Sequence, residues 1–327
     1  MASIKINEIT VGVVGLGLMG TSFIATLLMT GHKVVAIAPI PEDMGLAPER
    51  IQHHLLVCKK SDFLDRPVEA YLSQLTISED YALLCCCHLV IECVIEDLEI
   101  KKSIYKKVES IVNSKTIIAS NTSAIPISEL QKSLINPERF LGIHWAEPSY
   151  FTRFMEVTSG NTTATAYVEW VYELAHYWWK EPTLLRKDIR GFITNRLMYA
   201  VYREGLALVE NGKTSLEDVD KAFRYDAGSW ITLMGIFRRM DYLGLKDYAE
   251  MFKAIFPVLC NNERVPALMQ RMVDIKARGI QNLSGLYPYS EEEARKWEEA
   301  FISFNEEIYQ LAAAYPLVKE KISLPGM

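Results

Sequence analysis

A chain of 327 residues, half of them hydrophobic and 23% charged, is long enough for about two domains and too apolar to remain disordered as a whole. Its formal net charge of -6 argues against a nucleic-acid surface, which calls for a basic patch. No stretch resembles a secretory signal or reaches the ~18 apolar residues of a membrane span, and the six cysteines, with Cys85, Cys86 and Cys87 adjacent, form neither a disulfide framework nor a paired zinc pattern, so reduced thiols in a cytoplasmic protein without metal are expected.

In chain order, residues 10–14 read as a strand, followed by a glycine turn and an apolar helix over 21–30. Residues 33–38 form a second strand and 89–95 another. An amphipathic helix marked by Leu98, Ile100, Ile104, Tyr105 and Val108 follows, then strands over 116–120 and 140–144. This alternation predicts a parallel sheet covered by helices. Past Asp188 longer helical patterns take over, at 195–210, 216–223, around 248–260 and at 291–315. A domain boundary is therefore expected near 187–190, giving domains of 1–187 and 188–327.

Gly15-Leu16-Gly17-Leu18-Met19-Gly20 spells GxGxxG between a strand and a helix. The first glycine makes the turn, the second lets a pyrophosphate approach the backbone, and the third lets helix and strand pack closely. The helix start then offers free N–H groups to phosphates. Gly15, Gly17, Leu18, Met19 and Gly20 are thus candidate dinucleotide contacts, and the expected fold is α/β: a Rossmann-type doubly wound, mostly parallel sheet, then an all-helical domain. The carboxylate that normally holds the adenosine ribose about 20 positions on is missing. The chain reads Ala36-Ile37-Ala38-Pro39-Ile40-Pro41 there, with Glu42 and Asp43 the nearest acids and no arginine in its place, which favours NAD over NADP.

Oxidising an alcohol to a ketone needs a base for the hydroxyl proton. His144 stands at a strand end, where open α/β folds bind ligands, and an imidazole can take and return a proton. Each polar candidate also has a plainer reading taken alone: His144 as a structural histidine, Ser123 as a helix cap, Asn195 as an early helix residue, Glu156 as a strand carboxylate.

Taken together, Ser120-Asn121-Thr122-Ser123, Gly142-Ile143-His144-Trp145, Phe154-Met155-Glu156-Val157 and Gly191-Phe192-Ile193-Thr194-Asn195-Arg196-Leu197 resemble the 3-hydroxyacyl-CoA dehydrogenase family in order and spacing, including its hydroxybutyryl-CoA and lambda-crystallin/gulonate dehydrogenase-like members. The glycine turn and Val90 to Asp97 belong to the same pattern, and the resemblance runs over about 10–245. It implies a His144–Glu156 catalytic pair, Ser123 and Asn195 on the reacting oxygen, and Glu96, Lys101 and Asn121 near the cofactor. It also implies NAD as cofactor, an acyl substrate that is small and possibly CoA-linked, and a homodimer built through the helical domain. Lys59, Lys60, Lys101 and Lys102 are further candidates for CoA phosphates, although a solvated helix face explains them equally well.

After its histidine the family continues Phe-Phe-Asn-Pro; this chain continues Trp145-Ala146-Glu147-Pro148. Glu147 puts a carboxylate beside the expected substrate site, able to repel an anion or to bind a cationic or hydroxylated group. The tail past about 250 is nearer in length to family members that act on free hydroxy acids. Three readings stay open: a 3-hydroxyacyl-CoA dehydrogenase, the same chemistry on a free hydroxy acid or polar alcohol of the gulonate, carnitine or diketo-ester kind, and a dinucleotide-binding protein without turnover.

Overall fold

The computed structural model describes residues 5–315. Two compact units divide the chain, one ending at Arg196 and the other beginning at Leu197.

The first unit is built on an eight-stranded sheet. Its strands are β1 (Thr10–Val14), β2 (Lys33–Ile37), β3 (Leu75–Ser78), β4 (Leu89–Glu92), β5 (Ile117–Ser120), β6 (Phe140–Trp145), β7 (Phe154–Ser159) and β8 (Glu181–Leu185), in the order β3-β2-β1-β4-β5-β6-β7-β8. Neighbours among β1 to β6 pair in parallel, β7 runs antiparallel to β6, and β8 is parallel to β7. The order reverses on either side of β1, so the crevice beyond the carboxyl ends of β1 and β4 is the topological switch point where such sheets bind ligands. The expected doubly wound, mostly parallel sheet is present.

Local chemistry explains these elements. β4 and β5 are buried at every position, as expected for central strands covered on both faces, and they read as apolar runs ending in one polar residue, Glu92 and Ser120, rather than as an alternation. Helix α1 (Leu18–Met29) buries ten consecutive residues from Gly20 to Met29, because it is enclosed by sheet and neighbouring helices. α2 (Pro41–Lys60) opens with proline at its first position, α3 (Val68–Leu72) is short, and α4 (Leu98–Glu109) is capped by Asp97, whose side chain accepts from the Glu99 and Ile100 amides. α5 (Ile127–Gln131) and α6 (Thr165–Tyr177) complete the layers. Trp145 packs between Phe23 and Trp178 in the core with tilted rings, centroids 4.2 Å and 5.2 Å away. His32 bridges Ile9 and Trp178 there as a buried structural group.

Several sequence expectations shift. α1 begins at Leu18 rather than 21, since its first turn is part of the glycine motif. β4 stops at Glu92, and the expected strand beyond it is loop. β3, α2, α6 and β8 had no clear sequence signal: β3 is a four-residue edge strand, α2 carries an internal Pro48, and β8 contains Pro182.

In the second unit every described element is helical apart from turns and isolated bridges, as expected. It contains most of α7 (Thr194–Glu210), then α8 (Leu216–Ala222), α9 (Gly228–Leu243), α10 (Leu245–Ile255), α11 (Ala267–Asp274) and α12 (Glu291–Ala314). α9, which had no separate sequence signal, is interrupted at Gly235, whose φ of 69° lies outside the helical region. Ser290 and Glu293 close α12 with a reciprocal capping box. Among the described residues, no helix is long and apolar enough to cross a membrane.

Candidate active site

The glycine turn joins β1 to α1 at the switch point. Gly15 has φ +100°, and a Cβ there would meet the Cys93 backbone at 2.8 Å. A Cβ on Gly20 would lie 1.9 Å from the Gly15 carbonyl oxygen, so only glycine allows this approach of helix to strand. At Gly17 the same construction meets nothing within 4 Å, leaving an open cradle above the turn. No side chain caps α1 at Gly17, and its first amides, at Leu18, Met19 and Gly20, have no partners within the helix. An open backbone cradle at an uncapped helix start fits a dinucleotide pyrophosphate.

His144 and Glu156 face each other across the antiparallel β6–β7 pair. His144 Nδ1 lies 3.0 Å from Glu156 Oε2, with side-chain exposures of 12% and 0%. The other Glu156 oxygen, Oε1, accepts from the Ile193 and Thr194 amides at 2.9 and 3.1 Å, at the start of α7. Three N–H donors thus meet one buried carboxyl group, which compensates its removal from water. With the Nδ1 proton held by Glu156, Nε2 is left as the acceptor of the ring. Phe154 and Phe192 flank the imidazole, with centroids 5.6 and 5.8 Å away.

Ser123 and Asn195 come together through one contact, in which Asn195 Nδ2 donates to the Ser123 carbonyl at 2.7 Å. The Ser123 segment is also held from below. Glu96 Oε1 accepts from the Thr122 hydroxyl at 2.5 Å and from the Ser123 and Ala124 amides at 3.1 and 3.2 Å. Burial opposes ionisation of Glu96, yet the Thr122 hydroxyl, Lys101 and the Ala124 amide together hold its carboxyl below the usual range. Asn121 Oδ1 accepts from the Trp145 amide at 3.4 Å, a long contact linking the ends of β5 and β6.

Lys101 lies deeper than a phosphate contact requires. It is 1% exposed, 2.7 Å from Glu92 and 3.3 Å from Glu96, and so steadies Glu96 from inside the fold. Lys102 pairs with Glu99 on the helix surface, and Lys59 and Lys60 occupy the last turn of α2.

Sequence reasoning gave no role to Glu92, which proves to be the centre of a buried network. Beside Lys101, it accepts from Tyr105 and Ser120 hydroxyls at 2.5 and 2.8 Å. Its one signal was an acid ending an otherwise apolar strand, nine residues before a lysine. Lys180 was also missed. It is buried, and its ammonium donates to the Ser149 and Thr152 carbonyls. Ser149 is bonded in turn to Ser22 and Thr26 of α1, so the loop after His144 is tied to the glycine-turn helix. Within that loop Glu147 is half-buried, and burial raises its carboxyl above the usual range.

A switch-point phosphate cradle beside a histidine–carboxyl pair defines a nicotinamide-dependent dehydrogenase acting on a CH–OH group. Residues 10–189 match the 3-hydroxyacyl-CoA dehydrogenase NAD-binding domain, and residues 191–289 match the C-terminal domain of the same enzymes. The chain belongs to the 3-hydroxyacyl-CoA dehydrogenase family, and its cofactor is NAD. It is 31% identical over 288 residues to 5-formyl-3-hydroxy-2-methylpyridine 4-carboxylate 5-dehydrogenase of Mesorhizobium japonicum, covering 87% of this chain and 92% of that one. It is 32% identical over 242 residues to the mitochondrial hydroxyacyl-coenzyme A dehydrogenase of Sus scrofa, covering 72% and 76%. A crystal structure of the pyridine carboxylate dehydrogenase, described as an NAD+-dependent dismutase, superposes with a TM-score of 0.87 at 26% identity, covering 94% of this chain and 99% of that one.

Proposed function

We propose that this chain oxidises a 3-hydroxyacyl substrate to its 3-keto form, with His144 as general base and Glu156 as its partner. The observation that carries the reading is the 3.0 Å contact between them. The substrate hydroxyl gives its proton to Nε2 of His144. Glu156 then faces a charged imidazolium and stabilises it, while the Ile193 and Thr194 amides keep the carboxyl in place. The Ser123 hydroxyl and the Asn195 amide bond the reacting oxygen, and the bond from Asn195 Nδ2 to the Ser123 main-chain carbonyl holds the two segments together. Bound NAD would supply the acceptor for the hydride of the carbinol carbon. Gly15, Gly17, Leu18, Met19 and Gly20 would hold its pyrophosphate, and Asn121 and Glu96 would contact the cofactor, with Lys101 acting through Glu96.

A second reading, the same chemistry on a free hydroxy acid or polar alcohol, is favoured by Glu147. A half-buried carboxyl beside the substrate path disfavours an anionic thioester and suits a hydroxylated or cationic group. The relative from Mesorhizobium japonicum, named for a pyridine carboxylate, agrees with it.

The division of labour follows the notion of residues 1–187 for the cofactor and 188–327 for substrate binding and assembly. Helices α8 to α11 bury no residue within a single chain and expose Phe237, Tyr242 and Leu245, which suits pairing with a second copy. Among the described residues none of the six cysteines is in a disulfide, in keeping with a cytoplasmic setting. The test is a substrate panel followed at the nicotinamide absorbance. Reduction of acetoacetyl-CoA supports the first reading, turnover of free acids alone supports the second, and no turnover of either class contradicts both.

A further inference from the structure

In open dinucleotide-binding sheets a carboxylate at the end of the second strand holds the adenosine ribose. Here that position is Ala38, which has no acceptor side chain. The structure supplies one from the helix that follows. Asp43 lies in the first turn of α2, and Arg50 stands seven residues on, so both project from one helix face. Arg50 Nη1 is 3.9 Å from Asp43 Oδ1 and donates to the Leu16 carbonyl at 3.3 Å. Leu16 is the residue between the first two glycines of the turn, so the pair leans on the cradle itself. The Asp43 side chain is only 14% exposed, low for an acid at the start of a surface helix.

One turn further, His54 continues the same face. Its Nε2 lies 3.2 Å from the Thr21 hydroxyl of α1 and its Nδ1 lies 3.1 Å from the Tyr150 hydroxyl. Buried Ala47, Ile51 and Leu55 pack beneath. This face of α2 is therefore fixed against the glycine-turn helix.

An arginine beside this turn would ordinarily suit a 2′-phosphate. Arg50 is not free to take that role: one donor is spent on the Leu16 carbonyl, and Asp43 lies against its charge. We propose that Asp43 stands in for the missing strand-end acid as the acceptor for the adenosine ribose hydroxyls, and that the Asp43–Arg50 pair sets the preference for NAD over its 2′-phosphorylated form. The inference rests on the NAD assignment. The carboxylate accepts from ribose hydroxyls and repels a phosphate at the same place. Without that charge, Arg50 is left to face the phosphate.

Fluorescence titration of the full chain with NADH and NADPH tests this through binding alone. Asp43→Asn is expected to weaken NADH about tenfold, in line with loss of a hydrogen bond to a charged group, and to tighten NADPH. Adding Arg50→Gln to Asp43→Asn abolishes the NADPH gain. Glu42→Gln, one position away and exposed, leaves both affinities at wild-type values. Circular dichroism of each variant verifies the fold, and Asp43→Glu, which keeps the charge, retains the preference for NADH. Unchanged affinities in Asp43→Asn, against a wild type that binds NADH, overturn this inference alone. A wild type that binds neither dinucleotide overturns the NAD assignment with it.

Discussion

Glu156 stands directly across the β6–β7 ladder from His144, and its second oxygen collects the Ile193 and Thr194 amides where α7 begins. One carboxyl therefore joins the imidazole of one strand to the start of the helix that bears Asn195. Its substitution should be felt in both rate and stability. Glu156→Gln keeps the shape but offers an amide N–H2 where a donor must be accepted. A fall in kcat of about 10²–10⁴ is expected. Unfolding by calorimetry should show a loss of about 1–3 kcal/mol from the unsatisfied donors. A variant with wild-type rate would contradict the pairing.

Glu96 is expected to act by position. Its carboxyl gathers the Thr122 hydroxyl and the Ser123 and Ala124 amides, and Asn195 meets the same segment from the other side. Glu96→Gln retains an acceptor but loses the ion pair to Lys101. A drop in kcat/KM of about tenfold is expected. The pH profile should keep its wild-type shape, whereas a moved profile would mark Glu96 as a proton carrier instead.

Glu147 should govern which substrates are accepted. Glu147→Asn removes a carboxylate, so kcat/KM for acetoacetyl-CoA relative to a neutral or cationic alcohol is expected to rise about tenfold. Burial raises the Glu147 carboxyl above its usual range, so in the wild type its repulsion fades as pH falls through that raised value. Relative use of the anionic substrate should climb on acidification in the wild type and stay flat in Glu147→Asn. Equal pH dependence in both proteins would refute this role.

The Lys180 ammonium is brought from 10.5 down to about 7, by burial first and by Arg153 second. Between those values the unfolded chain carries the extra proton, so stability rises with pH from about 7 toward 10.5. Lys180→Met removes that contribution. Denaturant unfolding at pH 7.5 and 9.5 should show a smaller gain with pH in the variant, and an identical gain would show that Lys180 does not titrate in this window.

The nucleotide half of the site was legible in the sequence because its chemistry is local: Gly15, Gly17 and Gly20 encode turn, cradle and close approach within six residues. The central strands were legible too, as short apolar runs. His144 and Glu156 were reached only through the family pattern, since twelve residues separate them and an antiparallel register, invisible to periodicity, makes them neighbours. The edge strands β3 and β8 are short or interrupted by proline, which erases the alternation that marks a strand. Lys101 looked like a surface charge on an amphipathic helix. Its burial follows from Glu92 at the end of β4, a contact between elements that no single helix pattern contains.

If His144 takes the substrate proton, single-turnover hydride transfer in His144→Ala, measured alongside NADH titration, separates chemistry from cofactor binding. NADH affinity is expected to stay within about threefold of wild type while the transfer rate falls by about 10²–10⁴ at neutral pH. Tight NADH binding with an undiminished rate in His144→Ala would contradict it.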